Sequence, residues 1–161
     1  MISNGVLSMS DNHTPTVRPV RSDDRGRWEE LFLAYGVFYE ESFPRDVVEG
    51  VWAWLMQEDH PLRCFVAELD GEVVGFAHLR FQHDTFTAGA GWFLDDLFTD
   101  PDARGQGVAT ALIAALNDYA SERGGGTLRW ITASDNTRAR RLYDTLAQAT
   151  TWVTYEKEVS A

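Results

Sequence analysis

The chain lacks the residues that would build a covalent or metal-bound framework. Among its 161 residues there is one cysteine, Cys64, which excludes an internal disulfide framework and a Cys-x-x-Cys metal site. The four histidines, His13, His60, His78 and His83, show no His-x-x-x-His spacing, so no metal is expected. No apolar run approaches the roughly 20 residues needed to span a bilayer, and the N-terminus has no basic stretch followed by a hydrophobic core. A cytoplasmic protein is the expectation. Basic residues are also few: 14 Lys and Arg stand against 25 Asp and Glu, a formal net charge of −11. That field disfavours nucleic acid and anionic membrane and draws cations, although acidic surfaces also serve solubility.

Aromatic residues are plentiful. Six Trp, nine Phe, five Tyr and a 44% hydrophobic content suit one domain with a substantial core. Residues 1–15 are polar and without periodicity, so they are expected to form a disordered tail, with the domain covering 16–159. Thr16 to Val20 suits a short edge strand. Trp28, Leu31, Phe32, Tyr35, Phe38 and Tyr39 then recur at helical spacing, and Val47, Val48, Val51, Trp52 and Leu55 repeat it after Pro44. A helical pair is predicted. Arg63 to Leu69 and Glu72 to Phe81 alternate as strands around Asp70-Gly71, a strong hairpin signal, and Thr85 to Gly91 reads as a loop. Within these strands Cys64 reads as a small core residue and His78 as a half-buried polar group, with a proton relay as its alternative.

The stretch from Trp92 to Tyr119 organises the rest. It reads as strand, glycine break and helix, the helix carrying Val108, Leu112, Ile113, Leu116 and Tyr119 on one stripe. A helix start leaves backbone N–H groups without intrahelical partners and gathers about half a positive charge. Gly105 and Gly107 would let a phosphate approach the amides of Gly105, Gln106, Gly107, Val108, Ala109 and Thr110, with Arg104 as a fixed cation. Two glycines can equally serve only the turn. The Gly-x-x-x-x-Gly-Lys-[Ser/Thr] loop is excluded, because no lysine follows the second glycine, and Thr110 stands where Gly-x-Gly-x-x-Gly needs its third.

Arg104-Gly105-Gln106-Gly107-Val108-Ala109 matches the Arg/Gln-x-x-Gly-x-Gly/Ala signature of the GNAT superfamily of acyl-CoA-dependent N-acetyltransferases. Asn136-Thr-Arg-Ala139-Arg-Arg-Leu-Tyr143 is similar to that family's Asn-x-x-Ala-x-x-x-Tyr, placed after a short apolar strand as in those enzymes. The resemblance implies an α/β fold, a single GNAT-like domain with a mixed, mostly antiparallel twisted sheet and helices on both faces. It implies acetyl-CoA as cosubstrate and transfer of the acetyl group to a primary amine by direct attack in a ternary complex. A small cationic amine fits the acidic chain; an amino acid, a drug amine or a protein N-terminus is an alternative acceptor, and a non-catalytic acyl-CoA-binding module is the rival reading.

The resemblance also distributes roles. Tyr143 takes the position of the tyrosine that protonates the departing thiolate, or it packs on its helix's apolar stripe. The Leu-Asp-Asp-Leu-Phe strand looks like that of diamine and polyamine acetyltransferases, which makes Asp95 the base acting through water; a structural role for either carboxylate stays open. Since a strand sends neighbours to opposite faces, only one of Asp95 and Asp96 is expected to face the acceptor. Main-chain groups of Leu97, Phe98 and Thr99 would pair with the pantetheine arm. Asn136 fixes that arm or caps a helix, and Arg140 lends charge to a polyanionic cosubstrate. Tyr39, Glu40 and Asp96 are assigned to the acceptor. The family's usual Tyr-x-x-x-Gly-Phe is replaced by Tyr143-Asp-Thr-Leu-Ala-Gln-Ala, leaving room for one terminal strand, Thr151 to Glu158, whose Trp152, Val153 and Tyr155 offer a surface for a homodimer.

Overall fold

The computed structural model describes residues 14–160, so nearly all of the expected N-terminal tail lies outside the described residues. The chain divides into two compact units, which meet after Trp130 in sequence. The first contains β1 (Thr16–Pro19), α1 (Arg25–Phe38), α2 (Arg45–Leu55), β2 (Leu62–Leu69), β3 (Glu72–Asp84), β4 (Gly89–Thr99), α3 (Val108–Ser121) and β5 (Thr127–Arg129). The second contains α4 (Thr137–Leu146). The five strands form one sheet in the order β1-β2-β3-β4-β5. It is mixed and mostly antiparallel, with only β4 and β5 running parallel.

Helices cover both faces of this sheet. Trp28, Leu31 and Phe32 of α1 and Val48 and Leu55 of α2 bury against Cys64 and Val66 of β2, Phe76 of β3 and Phe98 of β4. The alternate residues meet α3: Phe65 packs its ring 5.0 Å from Tyr119, and a Cβ on Gly75 would stand 2.8 Å from the Val108 side chain. The helical stripes bury along most of their length, with Phe38, Tyr39 and Val47 left exposed at their ends, and the sheet's pleat separates two cores. Arg18 holds both Asp24, at 2.7 Å, and Glu68, at 2.6 Å, which fastens the approach to α1 onto the first two strands.

The β2–β3 turn falls at Asp70-Gly71, whose φ values of 52° and 83° suit that pair. The loop between β3 and β4 is shorter than expected, since β3 continues to Asp84 and β4 already begins at Gly89. Beyond Trp130, Asn136 opens α4 by accepting the Ala139 N–H through Oδ1 at 3.3 Å. Residues 147–160 have no regular secondary structure. The terminal strand expected over Thr151 to Glu158 is therefore not formed. Its residues have strand propensity, but a strand exists only through the ladder it makes, and no described strand pairs with them.

Candidate active site

The middle of β4 carries a bulge, and the bulge decides where its two aspartates go. His78 of β3 pairs with Asp96, while the next residue, Leu79, pairs with Leu94. Asp95 is the extra residue. Its carboxylate accepts two hydrogen bonds from Arg80, from Nε and Nη2, both at 2.9 Å, and Asp96 meets His78 Nδ1 at 2.8 Å. His78 and Arg80 are two apart on one strand and share a face, so both carboxylates lie toward α1. The expectation that neighbouring aspartates take opposite faces is corrected here. A bulge breaks the alternation on which it rested.

The two carboxylates have different surroundings. The Arg80 guanidinium, which also lies 5.3 Å over the Phe93 ring, neutralises Asp95, and hydrogen bonding to that carboxylate holds Arg80 above its ordinary pKa. Asp96 faces no guanidinium among its hydrogen-bond partners. Burial works against its ionisation, but hydrogen bonding to His78, electrostatic attraction to that imidazole and, last, the nearby Tyr35 hydroxyl prevail and hold its carboxyl below the ordinary carboxylate range. Tyr35, in turn, is pushed far above the usual phenol range, by burial first and then by the charge of Asp96. Behind this pair, Trp28 Nε1 donates to His78 Nε2 at 3.0 Å, and both side chains are fully enclosed, at 0% and 1% exposure. His78 is more deeply buried than its alternating strand suggested.

An aromatic series runs along α1 from this point. Tyr35 lies 6.2 Å from Phe98 and 5.0 Å from Tyr39, and Tyr39 lies 5.0 Å from Phe38. Phe38 in turn sits under the Arg104 guanidinium, 5.8 Å from its ring centre. Tyr39 and Glu40, both assigned to the acceptor from sequence, are exposed just past the end of α1, and Glu40 has φ of 59°. The C-terminal end of α1 thus links the acidic bulge to the residue that opens the glycine turn.

That turn is built from the backbone. Asp100 caps a 3₁₀ turn over Pro101–Ala103 by accepting the Asp102 N–H at 3.0 Å, and Arg27 reaches across from α1 to the same carboxylate at 2.6 Å. Gly105 and Gly107 then adopt φ of 77° and 81°, a left-handed conformation that costs L-residues about 1–2 kcal/mol. Hydrogen bonding inside α3 begins with Ala111 N–H to Gly107 O at 2.9 Å, so the amides of Val108, Ala109 and Thr110 precede the ladder. A Cβ placed on Gly105 or Gly107 would meet nothing within 4 Å. The open space and the run of amides suit a phosphate-bearing ligand. On the strand before it, Leu97 and Thr99 are half-buried and Phe98 is buried. β5 covers β4 only from Gly91 to Phe93, and Leu97, Phe98 and Thr99 have ladder partners only on the β3 side.

The family model described as the Acetyltransferase (GNAT) family matches residues 27–147. The chain belongs to the GNAT family. It is 31% identical to the uncharacterized N-acetyltransferase YhfO of Bacillus subtilis, over 80% of this chain and 85% of that protein. It is 27% identical to the D-amino-acid N-acetyltransferase HPA3 of Saccharomyces cerevisiae, covering 91% of this chain and 92% of the relative. Among solved structures, the aminoglycoside N-acetyltransferase AAC(6')-Iy in complex with CoA matches with a TM-score of 0.75 at 24% identity, over 90% of this chain and 95% of that one. The enzyme is an N-acetyltransferase of the GNAT type, and its fold is the GNAT fold.

The second GNAT motif lies on α4, in the second unit. Asn136 caps the helix and also donates from Nδ2 to Thr132 Oγ1 at 3.2 Å; Arg140 donates to Ser134 O at 2.6 Å; Tyr143 is half-buried on the helix's apolar stripe. Sequence reasoning missed Trp28, Tyr35 and Arg80 as parts of the acidic site. Trp28 and Tyr35 were visible only as members of a helical stripe. Arg80 and His78 did stand two apart opposite an Asp-Asp strand, which is the one available signal.

Proposed function

We propose that this GNAT enzyme transfers an acetyl group from acetyl-CoA to the primary amine of a small cationic acceptor, by direct attack in a ternary complex. The observation that carries the reading is a glycine turn with free amides at the start of α3, on the strand that also carries an acidic bulge. Acetyl-CoA supplies a thioester whose carbonyl carbon is open to a nitrogen lone pair. The amides of residues 105–110 and the Arg104 guanidinium are suited to its diphosphate, and the uncovered edge of Leu97, Phe98 and Thr99 to its pantetheine amides. Asn136 and Arg140 are retained from the family motif as further contacts to that cosubstrate.

In the transfer, a C–N bond forms and the C–S bond breaks; the amine loses a proton to water and the departing sulfur gains one. An alkyl ammonium with a pKa of about 10.4 has almost no free lone pair at neutral pH, so the acceptor's proton must leave first. Tyr143, carried by the motif, is the proposed donor to sulfur. Carboxylates on β4, with Tyr39 and Glu40 at the end of α1, are the proposed ammonium contacts. Two of the similar proteins are named for D-amino acids and aminoglycosides as acceptors, and each of these presents an ammonium group that a β4 carboxylate could receive. An amino acid or a drug amine is the second reading within this class.

The test is release of free CoA from acetyl-CoA over a panel of n-butylamine, 1,4-diaminobutane, D-lysine and kanamycin, with Tyr143→Phe alongside the wild type. We expect turnover with at least one of them and a fall in kcat of roughly 10²–10⁴ in Tyr143→Phe, with acetyl-CoA affinity little changed. Binding of acetyl-CoA without turnover of any amine would favour the acyl-CoA-binding module. A homodimer remains part of the proposal: Trp152, Val153 and Tyr155 are 85%, 73% and 92% exposed, a concentration of apolar surface that a second copy would cover. Light scattering should give twice the chain mass, and a monomer at high micromolar concentration would remove the dimer.

A further inference from the structure

An indole N–H can only donate. Because Trp28 Nε1 gives its hydrogen to His78 Nε2, that nitrogen must present a lone pair, and the imidazole proton must sit on Nδ1. From Nδ1 it donates to Asp96 Oδ2 at 2.8 Å. The ring is 1% exposed, so no water can replace the indole, and protonating Nε2 would break the buried bond to Trp28. His78 thus accepts from Trp28 through Nε2 and donates to Asp96 through Nδ1, a pair of bonds that only the Nδ1–H tautomer can make. Tyr35 of α1 stands close enough to the same carboxylate for the charge of Asp96 to help keep its phenol protonated.

The charge around the bulge is therefore uneven. Asp95 and Arg80 form one neutral pair, held by two hydrogen bonds at 2.9 Å. Asp96, with neutral His78 and neutral Tyr35 as its partners, keeps a full negative charge while its side chain remains 24% exposed. The groups facing it are His78 from β3, Tyr35 from α1, the Cys64 thiol of β2, which pairs with His78 and is pushed up by burial, and, next to it on β4, the compensated Asp95. An incoming ammonium meets one uncompensated carboxylate there.

We propose that Asp96, and not Asp95, receives the acceptor's ammonium group, and that Trp28 and His78 are positioning residues that keep its carboxylate aimed and anionic by locking the imidazole as its Nδ1–H tautomer. The role in acceptor binding rests on the acetyl-transfer reading above. Asp96 binds and orients; it does not keep the amine's proton. A carboxylic acid of ordinary pKa lies more than six units below an alkyl ammonium, a disadvantage of about a millionfold even before the lowering that its partners impose. Release of that proton to water, after the ammonium has been placed, is the balanced route.

The first measurement needs no variant. In the wild type labelled with ¹⁵N-histidine, His78 should keep the signature of a neutral Nδ1–H imidazole from pH 6 to 8. An imidazolium or an Nε2–H tautomer in that range would overturn the positioning role. Trp28→Phe removes the indole N–H and keeps an aromatic ring, so Nε2 becomes free to take a proton. We expect His78 to titrate in this variant, and kcat/KM for the best acceptor of the panel to fall at least threefold more than in the wild type as pH drops through that titration. An equal loss at every pH, without a histidine titration, would mean that Trp28 only packs.

Should Trp28→Phe fail to fold, the aspartates still decide. Loss of a hydrogen bond to a charged group makes Asp96→Asn raise KM for that amine roughly ten- to a hundredfold, and Asp95→Asn should raise it less than threefold. The reverse order overturns the proposal. The thermal shift given by acetyl-CoA separates this result from failure of the underlying reading. It should persist in all three variants, whereas its absence in the wild type would defeat acetyl transfer and the ammonium role with it, leaving the tautomer measurement to judge Trp28 and His78 alone.

Discussion

The acidic bulge of β4 and the glycine turn that follows it lie on one continuous stretch of chain, yet they are built from opposite materials. At the bulge, side chains do the work: Trp28, His78 and Asp96 interlock, and Arg80 clamps Asp95. At the turn, side chains are kept away: Gly105 and Gly107 leave open space over amides that precede the α3 ladder. The first arrangement fixes the position and sign of one charge. The second offers many weak partial charges to a large anion. A site of the first kind should respond to changes of hydrogen bonding that preserve shape, and a site of the second kind to any added Cβ.

The largest effect is expected at the turn. Val at position 107 would have to adopt φ of 81° and would place a branched side chain over the amides. A ligand at 100 times its Kd stabilises a protein by about 2.7 kcal/mol, and for a chain of this length each kcal/mol moves Tm by roughly 2–4 °C. Acetyl-CoA should thus raise the wild-type Tm by several degrees and leave Gly107→Val unmoved, with the variant still folded. A full shift in Gly107→Val would place the cosubstrate elsewhere and remove the contrast between the two regions.

A smaller effect is expected from releasing the second carboxylate. Arg80→Met keeps an apolar stem over Phe93 and removes the guanidinium that neutralises Asp95. Two uncompensated charges would then stand where the wild type has one. At effective dielectrics between those of water and a protein surface, an extra charge several ångströms from a distal ammonium is worth about 1 kcal/mol. The preference for 1,4-diaminobutane over n-butylamine, as a ratio of kcat/KM, should rise roughly three- to tenfold and fall back at high salt. An unchanged ratio would mean that Asp95 lies out of reach of the acceptor.

The same two regions differ in how far they could be read from sequence. The glycine turn was legible because its chemistry is local: a helix stripe begins at Val108, and two glycines precede it. The bulge was not, because the displacement of Asp95 exists only relative to β3, and the indole that fixes His78 comes from α1, far away in sequence. Local alternation located β2, β3 and the Asp70-Gly71 turn, since each makes its own pattern. The same alternation over Thr151 to Glu158 predicted a strand that is not formed, since propensity without a pairing partner leaves only an extended segment. Patterns within one element survive translation to structure; features that need a second element do not.

The smallest expected effect compares the two regions through acid. Asp96 at the bulge and Asp100 at the turn both have carboxyls held below the ordinary range. For Asp96 burial is overcome by hydrogen bonding and electrostatic attraction to His78, with Tyr35 adding least; for Asp100 the Asp102 amide leads and Arg27 follows. In the unfolded chain each returns to a pKa of about 3.9. Between that value and the lower folded one, the unfolded state binds more protons, so stability rises with pH through this window. The contribution is complete above about pH 5 and is lost as pH falls below 4 through the folded values. Each group can add at most about 1.4 kcal/mol per pH unit within its window. Urea unfolding at pH 7, 5, 4 and 3 should therefore show little change down to pH 5 and a steep loss below pH 4. Asp96→Asn and Asp100→Asn should each flatten that loss. An acid limb as steep in Asp96→Asn as in the wild type would show that folding does not hold that carboxylate in its ionised form, and would remove the anionic Asp96 on which the assignment of the ammonium depends.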